Sequence, residues 1–242
     1  MCEPCSDVCV NDSKKLWKNG IIPYEFDYKV SEDLIRYVKS AMKEIAKIGS
    51  IKFVKRTNQL DYIKIVNGGA YWSYVGKQGG EQELSVTEGW PHPIGSSIHE
   101  LLHACGMYHE HSRPDRDKYL IVQNGNDNYK KHNSSNVTCF GNYDFESIMH
   151  YPLHSRMNLK PGIKKKFEIG QRVKLSKGDI KAINMLYPCL STESEDNCFK
   201  RENRRQYASK TKSRLIQRRK YYRVRVMMRK RNKNKKKKND FE

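Results

Sequence analysis

Eleven residues constrain this chain more than any others: His99-Glu-Leu-Leu-His103-Ala-Cys-Gly106-Met-Tyr-His109. Two imidazoles four residues apart share one face of a helix, so both rings can reach a single metal ion. Glu100 stands beside them, able to reach a water at that ion without being a ligand itself. Gly106 can take a left-handed backbone at the helix end, which turns the chain and returns His109 to the same ion. Three neutral nitrogens with one position open make a catalytic zinc arrangement, whereas structural zinc has four protein ligands, commonly cysteines. The other histidines, His92, His111, His132, His150 and His154, read as surface or packing residues.

Around this string the chain reads as a folded domain from Leu16 to Leu186. Ile21–Phe26 reads as a strand, with Pro23 placing it near an end or an edge. Ser31 caps a helix in which Leu34, Ile35, Val38, Met42, Ile45 and Ile48 recur at helical spacing, and Gly49 ends it. Ile51–Val54, Tyr62–Val66, Tyr71–Val75 and Glu83–Thr87 read as further strands. A second helix begins near Ser96-Ser97 and stops at Gly106. Long irregular stretches follow, then a helix from Ser176 to Leu186.

Of 242 residues, 47 are Lys or Arg and 27 Asp or Glu, a net charge of +20. Residues 191–242 hold 20 of those bases and 6 of the acids, so +14 belongs to the tail and only +6 to the rest. Such a segment buries too little apolar surface to offset its ordering entropy, and disorder is expected from 190 to 242. Its charge suits polyanions such as heparin-like glycans; nucleic acid fits less well. No stretch approaches the ~18–20 apolar residues that span a bilayer. No secretory signal follows Met1, while sequons at Asn11, Asn133 and Asn136 favour secretion.

The run from His99 continues as Glu110-His-Ser-Arg113-Pro-Asp115-Arg116-Asp117-Lys-Tyr119, and Ser147-Ile-Met149-His-Tyr151 follows later. Together with Leu16-Trp17 through Pro23-Tyr24, Trp72-Ser-Tyr-Val-Gly76 and Gly170-Gln171-Arg172 through Cys189, this resembles the astacin family of zinc endopeptidases. The closing stretch resembles its tolloid branch. The resemblance implies an α+β, two-lobed metzincin domain over 11–189, with a twisted mixed sheet, a zinc-binding helix and a substrate cleft. Residues 1–10 would be the remnant of a pro-segment, a small loop or an erroneous start, and 190–242 the basic tail. It implies one zinc on His99, His103 and His109, with Glu100 as general base and Tyr151 as a displaceable further ligand that stabilises the oxyanion. Met149 would form the apolar floor, and Glu110 would hold the amino terminus made by activation cleavage. Arg172 would favour an acidic residue just after the cleaved bond, Trp72 would line the cleft, and the peptide would lie along the edge near Glu83–Thr87. The function implied is hydrolysis of internal peptide bonds in proteins outside the cell; the alternative is a catalytically latent relative that binds polyanions through its tail.

The chain departs from the family at its disulfides. The first would join positions that are here Tyr71 and Trp90, so two aromatics are expected to pack in its place. The second would join Cys189 to a position that is here Ser50, which leaves Cys198 or Cys139 as partners for Cys189. Cys105 is expected to be a buried free thiol.

Overall fold

The computed structural model describes residues 5–123, 127–164 and 168–188. The tail and the cysteines at 189 and 198 lie outside the described residues. Along the chain run β1 (Cys5–Val10), β2 (Ile21–Phe26), α1 (Glu32–Ala46), β3 (Lys52–Lys55), β4 (Tyr62–Asn67), β5 (Trp72–Ser73) and β6 (Glu81–Val86). Then come α2 (Pro93–Ala104), β7 (Leu120–Val122), β8 (Val137–Gly141), β9 (Met157–Leu159) and α3 (Lys177–Leu186).

Five strands form one mixed sheet in the order β3-β2-β4-β6-β5, parallel except for the antiparallel β5. Pro23 lies in an interior strand, but the pairing of β2 with β4 starts only at Tyr24. At the proline β2 therefore has a neighbour on one side, β3, and the missing N–H leaves no gap in a second ladder. Strand β5 keeps only two of the five residues expected from Tyr71–Val75, and it covers β6 at Leu84 and Ser85. The sheet edge beside the cleft is accordingly Trp72–Ser73, not Glu83–Thr87.

Ser31 starts α1 as expected: its hydroxyl accepts from the Leu34 N–H at 3.4 Å. Glu32 and Asp33 meet the positive end of the helix dipole. Leu34, Val38, Met42 and Ile45 then bury one stripe against Ile22, Ile63, Ile65 and Leu84 of the sheet. Helix α2 begins at Pro93, three residues before the expected serines. Proline suits the first helical position because its missing N–H would have no partner there. Ser97 lies inside the helix and donates its hydroxyl to Pro93 O at 2.8 Å, a local side-chain bond that a helix tolerates.

The irregular region contains two small antiparallel sheets, β1–β8 and β7–β9, whose strands are too short to show a sequence period. Leu120, Tyr143 and Met157 form a second, smaller core there. Strand β1 is woven into the fold, with Val8, Cys9 and Val10 buried, so the folded region begins before residue 11. No helix among the described residues is long and apolar enough to cross a membrane.

Candidate metal centre and cleft

Helix α2 is buried from Gly95 to Ala104, which places His99, Glu100 and His103 inside the protein. The helix closes in a Schellman turn, in which two backbone donors reach back to orphan carbonyls. Met107 N–H donates to Leu102 O at 3.1 Å and Gly106 N–H to His103 O at 2.8 Å. Gly106 has φ +103°, the left-handed conformation its position in the string implied. Strand β1 fixes the turn from outside, since Val10 N–H donates to Gly106 O and Tyr108 N–H to Val8 O. His109 is thereby returned to the helix, and Glu110 N–H donates to Met149 O at 3.1 Å.

His109 Nε2 stands 3.2 Å from His99 Nε2 and 3.0 Å from His103 Nε2. His99 Nδ1 lies 2.8 Å from Ile148 O, and His103 Nδ1 2.8 Å from Met107 O. A carbonyl can only accept, so both Nδ1 atoms carry the proton and both Nε2 atoms are bare acceptors. Burial pushes all three rings toward the neutral form, His103 to about 4. With His109 Nε2 bare as well, three acceptors this close would need a cation between them. Two nitrogens each about 2.0–2.1 Å from one tetrahedral zinc would lie about 3.3 Å apart, so the donor set fits that ion. Among the described residues this is the single group of its kind; His92, His111, His132, His150 and His154 stand outside it.

Glu100 is buried beside the triad, and burial pushes its carboxyl up to about 8 against the opposing pull of the Arg172 charge. The ring of Tyr151 lies 4.2 Å from that of His109 and 4.3 Å from that of His111, and burial raises its phenol. Arg172 donates through Nη1 to the carbonyls of His150 at 3.1 Å and Gln171 at 2.9 Å. A cavity of about 620 Å³ is lined by the three histidines, Glu100, Tyr151, Arg172 and Trp72. A Cβ on Gly95 would lie 1.7 Å from Arg172 O. Only glycine therefore lets α2 approach the Arg172 segment this closely. Met149 is wholly buried.

Glu110 is fully buried, its Oε1 accepting from Asp144 N–H at 2.8 Å, and burial pushes it up to about 8 although Arg113 opposes this. Its Oε2 and both oxygens of buried Asp7 have no donor. Arg113, itself buried, grips Asp115 through two bonds of 2.8 and 3.0 Å, the two-pronged geometry a guanidinium favours with a carboxylate. Sequence reasoning missed Asp7 and the role of Asp179. The Asp179 carboxylate accepts from Ser147 Oγ at 2.7 Å, Ile148 N at 3.1 Å and Ser176 N at 2.7 Å. The capping pair Ser176 and Asp179 was the available signal for a helix start, but not for its bonds to the Met149 turn.

At the positions where the resemblance implied bridges, Tyr71 and Trp90 meet edge-on with ring centroids 6.0 Å apart, and Ser50 Oγ donates to the Asn184 side chain on α3. Cys105 is a buried free thiol, which burial pushes up and renders unreactive.

The model of the Astacin peptidase family matches residues 9–188. High choriolytic enzyme 1 of Oryzias latipes is 36% identical, over 73% of this chain and 71% of its own length. Astacin-like metalloendopeptidase of Gallus gallus is 38% identical, over 71% of this chain and 45% of its own. The chain spans from 38% to 71% of the length of the curated relatives it matches. The solved structure of the Oryzias latipes hatching enzyme, a zinc-protease, superposes with a TM-score of 0.63 at 34% identity, covering 74% of this chain and 96% of that one. Myroilysin, at 22% identity and a TM-score of 0.57, shares the fold. With its metal-ligand string, Met149 turn and mixed sheet, the chain belongs to the astacin family of α+β metzincins.

Proposed function

We propose that this chain is an endopeptidase that holds one zinc ion on His99, His103 and His109 and hydrolyses internal peptide bonds of proteins. The observation that supports the reading is the convergence of three Nε2 atoms, two of them bare acceptors, beside the buried Glu100 carboxyl. Zinc in that position supplies a Lewis acid for the scissile carbonyl and acidifies a water. Glu100 takes a proton from the attacking water and delivers it to the departing amine. Tyr151, a displaceable further ligand, donates its phenol to the oxygen where negative charge develops; one such donor contributes about 3–4 kcal/mol. Met149 is the apolar floor, and Gly106 the turn that presents His109. The substrate backbone adds as a strand to β5, with Trp72 along it. Arg172 receives an acidic side chain just after the cleaved bond.

Glu110 holds the amino terminus made when residues before Val8 are removed, since an ammonium there would satisfy the oxygen that now lacks a donor. On this reading the pro-segment ends before Val8 rather than at residue 10, the catalytic domain runs from Val8 to residue 189, and 190–242 is a tail that retains heparin-like polyanions. The protein acts outside the cell, consistent with exposed sequon residues Asn133 and Asn136. The second reading, a latent binding protein, is favoured by one feature: in the intact chain Glu110 meets another carboxylate, Asp7, rather than an ammonium.

Hydrolysis of an unstructured protein by chains starting at Met1 and at Val8, each compared with Glu100→Ala and each assayed for zinc, separates these readings. Zinc in all four and turnover lowered about 10²–10⁴-fold by Glu100→Ala is the expected result. Zinc without turnover from either start makes the protein latent, and turnover indifferent to Glu100 removes it as the base. Deleting residues 191–242 should abolish retention on heparin and leave hydrolysis intact; an unchanged heparin elution ends the tail assignment.

A further inference from the structure

We propose that Tyr71, Trp72 and Trp90 form an aromatic subsite of the cleft that takes a large apolar side chain, aromatic by preference, from a protein substrate. The inference deepens the peptidase reading and rests on it. The chain has three tryptophans. Trp17 is buried, with its indole N–H donating to Ala104 O at 2.9 Å. Trp72 and Trp90 are 37% and 56% exposed, and both line the cavity that contains the histidine triad. Indole surface left facing water loses the hydrophobic stabilisation that burial would give, so its concentration at one cleft implies an apolar occupant.

The wall is held in shape before anything binds. Trp90 leads directly into Pro91-His92-Pro93, where two prolines fix φ. Between them His92 adopts a left-handed φ of 56°. Tyr71 braces the Trp90 ring edge-on, where relatives are expected to carry a disulfide. Tyr74 braces Trp72 at 6.1 Å and 88°. The loop beneath is tied down: Ser85 Oγ accepts from Gly68 N–H at 3.0 Å and donates to Ala70 O at 2.6 Å. Rigid aromatic surface binds with little ordering entropy.

The chemistry of the walls selects the occupant. Among the described lining residues Glu100 is the one carboxylate and Arg172 the one guanidinium, so a basic side chain meets a cation and no spare anion. Edge-to-face and offset contacts with two indoles and a phenol favour Phe, Tyr or Trp over a small aliphatic residue.

Quenched-fluorescent peptides that differ only in carrying Phe or Ala, moved through each position flanking the scissile bond, test the subsite on the full chain with zinc bound. In the wild type one position should show a Phe-to-Ala ratio in kcat/KM of about ten- to a hundredfold. Trp90→Ala should bring that ratio close to one, and Trp90→Phe should restore most of it. Should Trp90→Ala fail to retain zinc, Trp72→Leu carries the same comparison. A wild-type ratio near one at every position, or a ratio unmoved by these variants, overturns the proposal. If neither the full chain nor the chain starting at Val8 cleaves any peptide, the peptidase reading fails on its own, and the same Phe and Ala peptides are compared by calorimetric affinity. Equal affinities then overturn the subsite.

Discussion

Asp7 is a buried carboxyl with no N–H donor, set against Glu110, Asp144 and Asp179. Burial first, then these negative neighbours, raise it well above its ordinary value, so the intact fold binds it as the acid. A raised carboxyl contributes stability that is complete below the unfolded value of about 3.9 and is lost as pH climbs toward the folded value. Asp7→Asn removes that slope. Thermal unfolding of the full chain should therefore give variant and wild type similar midpoints near pH 3.5 and a variant advantage that widens to pH 8; parallel curves would place Asp7 in water or on a cation. Gly106 makes a different residue-scale demand. Its φ is +103°, and Val10 Cγ2 would lie only 2.8 Å from any added Cβ. Gly106→Ala should cost about 1–3 kcal/mol and weaken zinc retention, because His109 follows the turn. Denaturant melts with a zinc assay check both effects. The histidines and Gly106 were legible in the sequence because metal chemistry and a left-handed turn each demand particular residue types at fixed spacing. Asp7 carried no such mark: its position is set by the pairing of β1 with a strand more than a hundred residues away.

At the scale of elements, α2 supplies two ligands, but its neighbours hold the third in place. The Asp179 carboxylate ties the first turn of α3 to Ser147 and Ile148, and Ile148 O in turn orients the His99 ring. Asp179→Ala leaves three buried donors without an acceptor at once, each worth about 1–3 kcal/mol. We expect a loss of about 3 kcal/mol or more in denaturant unfolding, with weaker zinc binding in the fraction that folds. A loss below about 1 kcal/mol would mean that water or another acceptor replaces the carboxylate. The helices were readable because α1 and α3 repeat apolar residues at helical spacing and each opens on a capping serine. Strands β7, β8 and β9 were not, since three to five residues cannot establish a period and their partners are distant in sequence. Around β5 the sequence promises more than the sheet uses: the apolar run continues to Val75, but only Trp72 and Ser73 find a partner.

Across the molecule, the triad joins segments that also share one apolar core, through Cys9, Leu101, Leu102, Met107, Ile148 and Met149, and a few backbone hydrogen bonds. His99 and His103 come from α2, His109 from the turn fixed by β1, and the Ile148–Met149 turn bonds to both sides. An ion bound to the native fold and absent from the unfolded chain adds stability by mass action, about 4 kcal/mol when free metal exceeds Kd a thousandfold. For a folded region of about 150–250 residues each kcal/mol moves the midpoint by about 2–4 °C, so chelation should lower the wild-type Tm by about 8–16 °C. The missing family bridges make this contribution weightier here, because the Tyr71–Trp90 contact and the Ser50–Asn184 hydrogen bond are non-covalent and leave the unfolded chain unconstrained. His109→Ala should unfold near the chelated wild-type midpoint and be insensitive to chelator. Calorimetric scans of both proteins, with and without a zinc chelator, make the comparison. Equal midpoints for chelated and zinc-loaded wild type would mean that the three histidines are held by the protein alone, and the ion would then serve chemistry without supporting the fold.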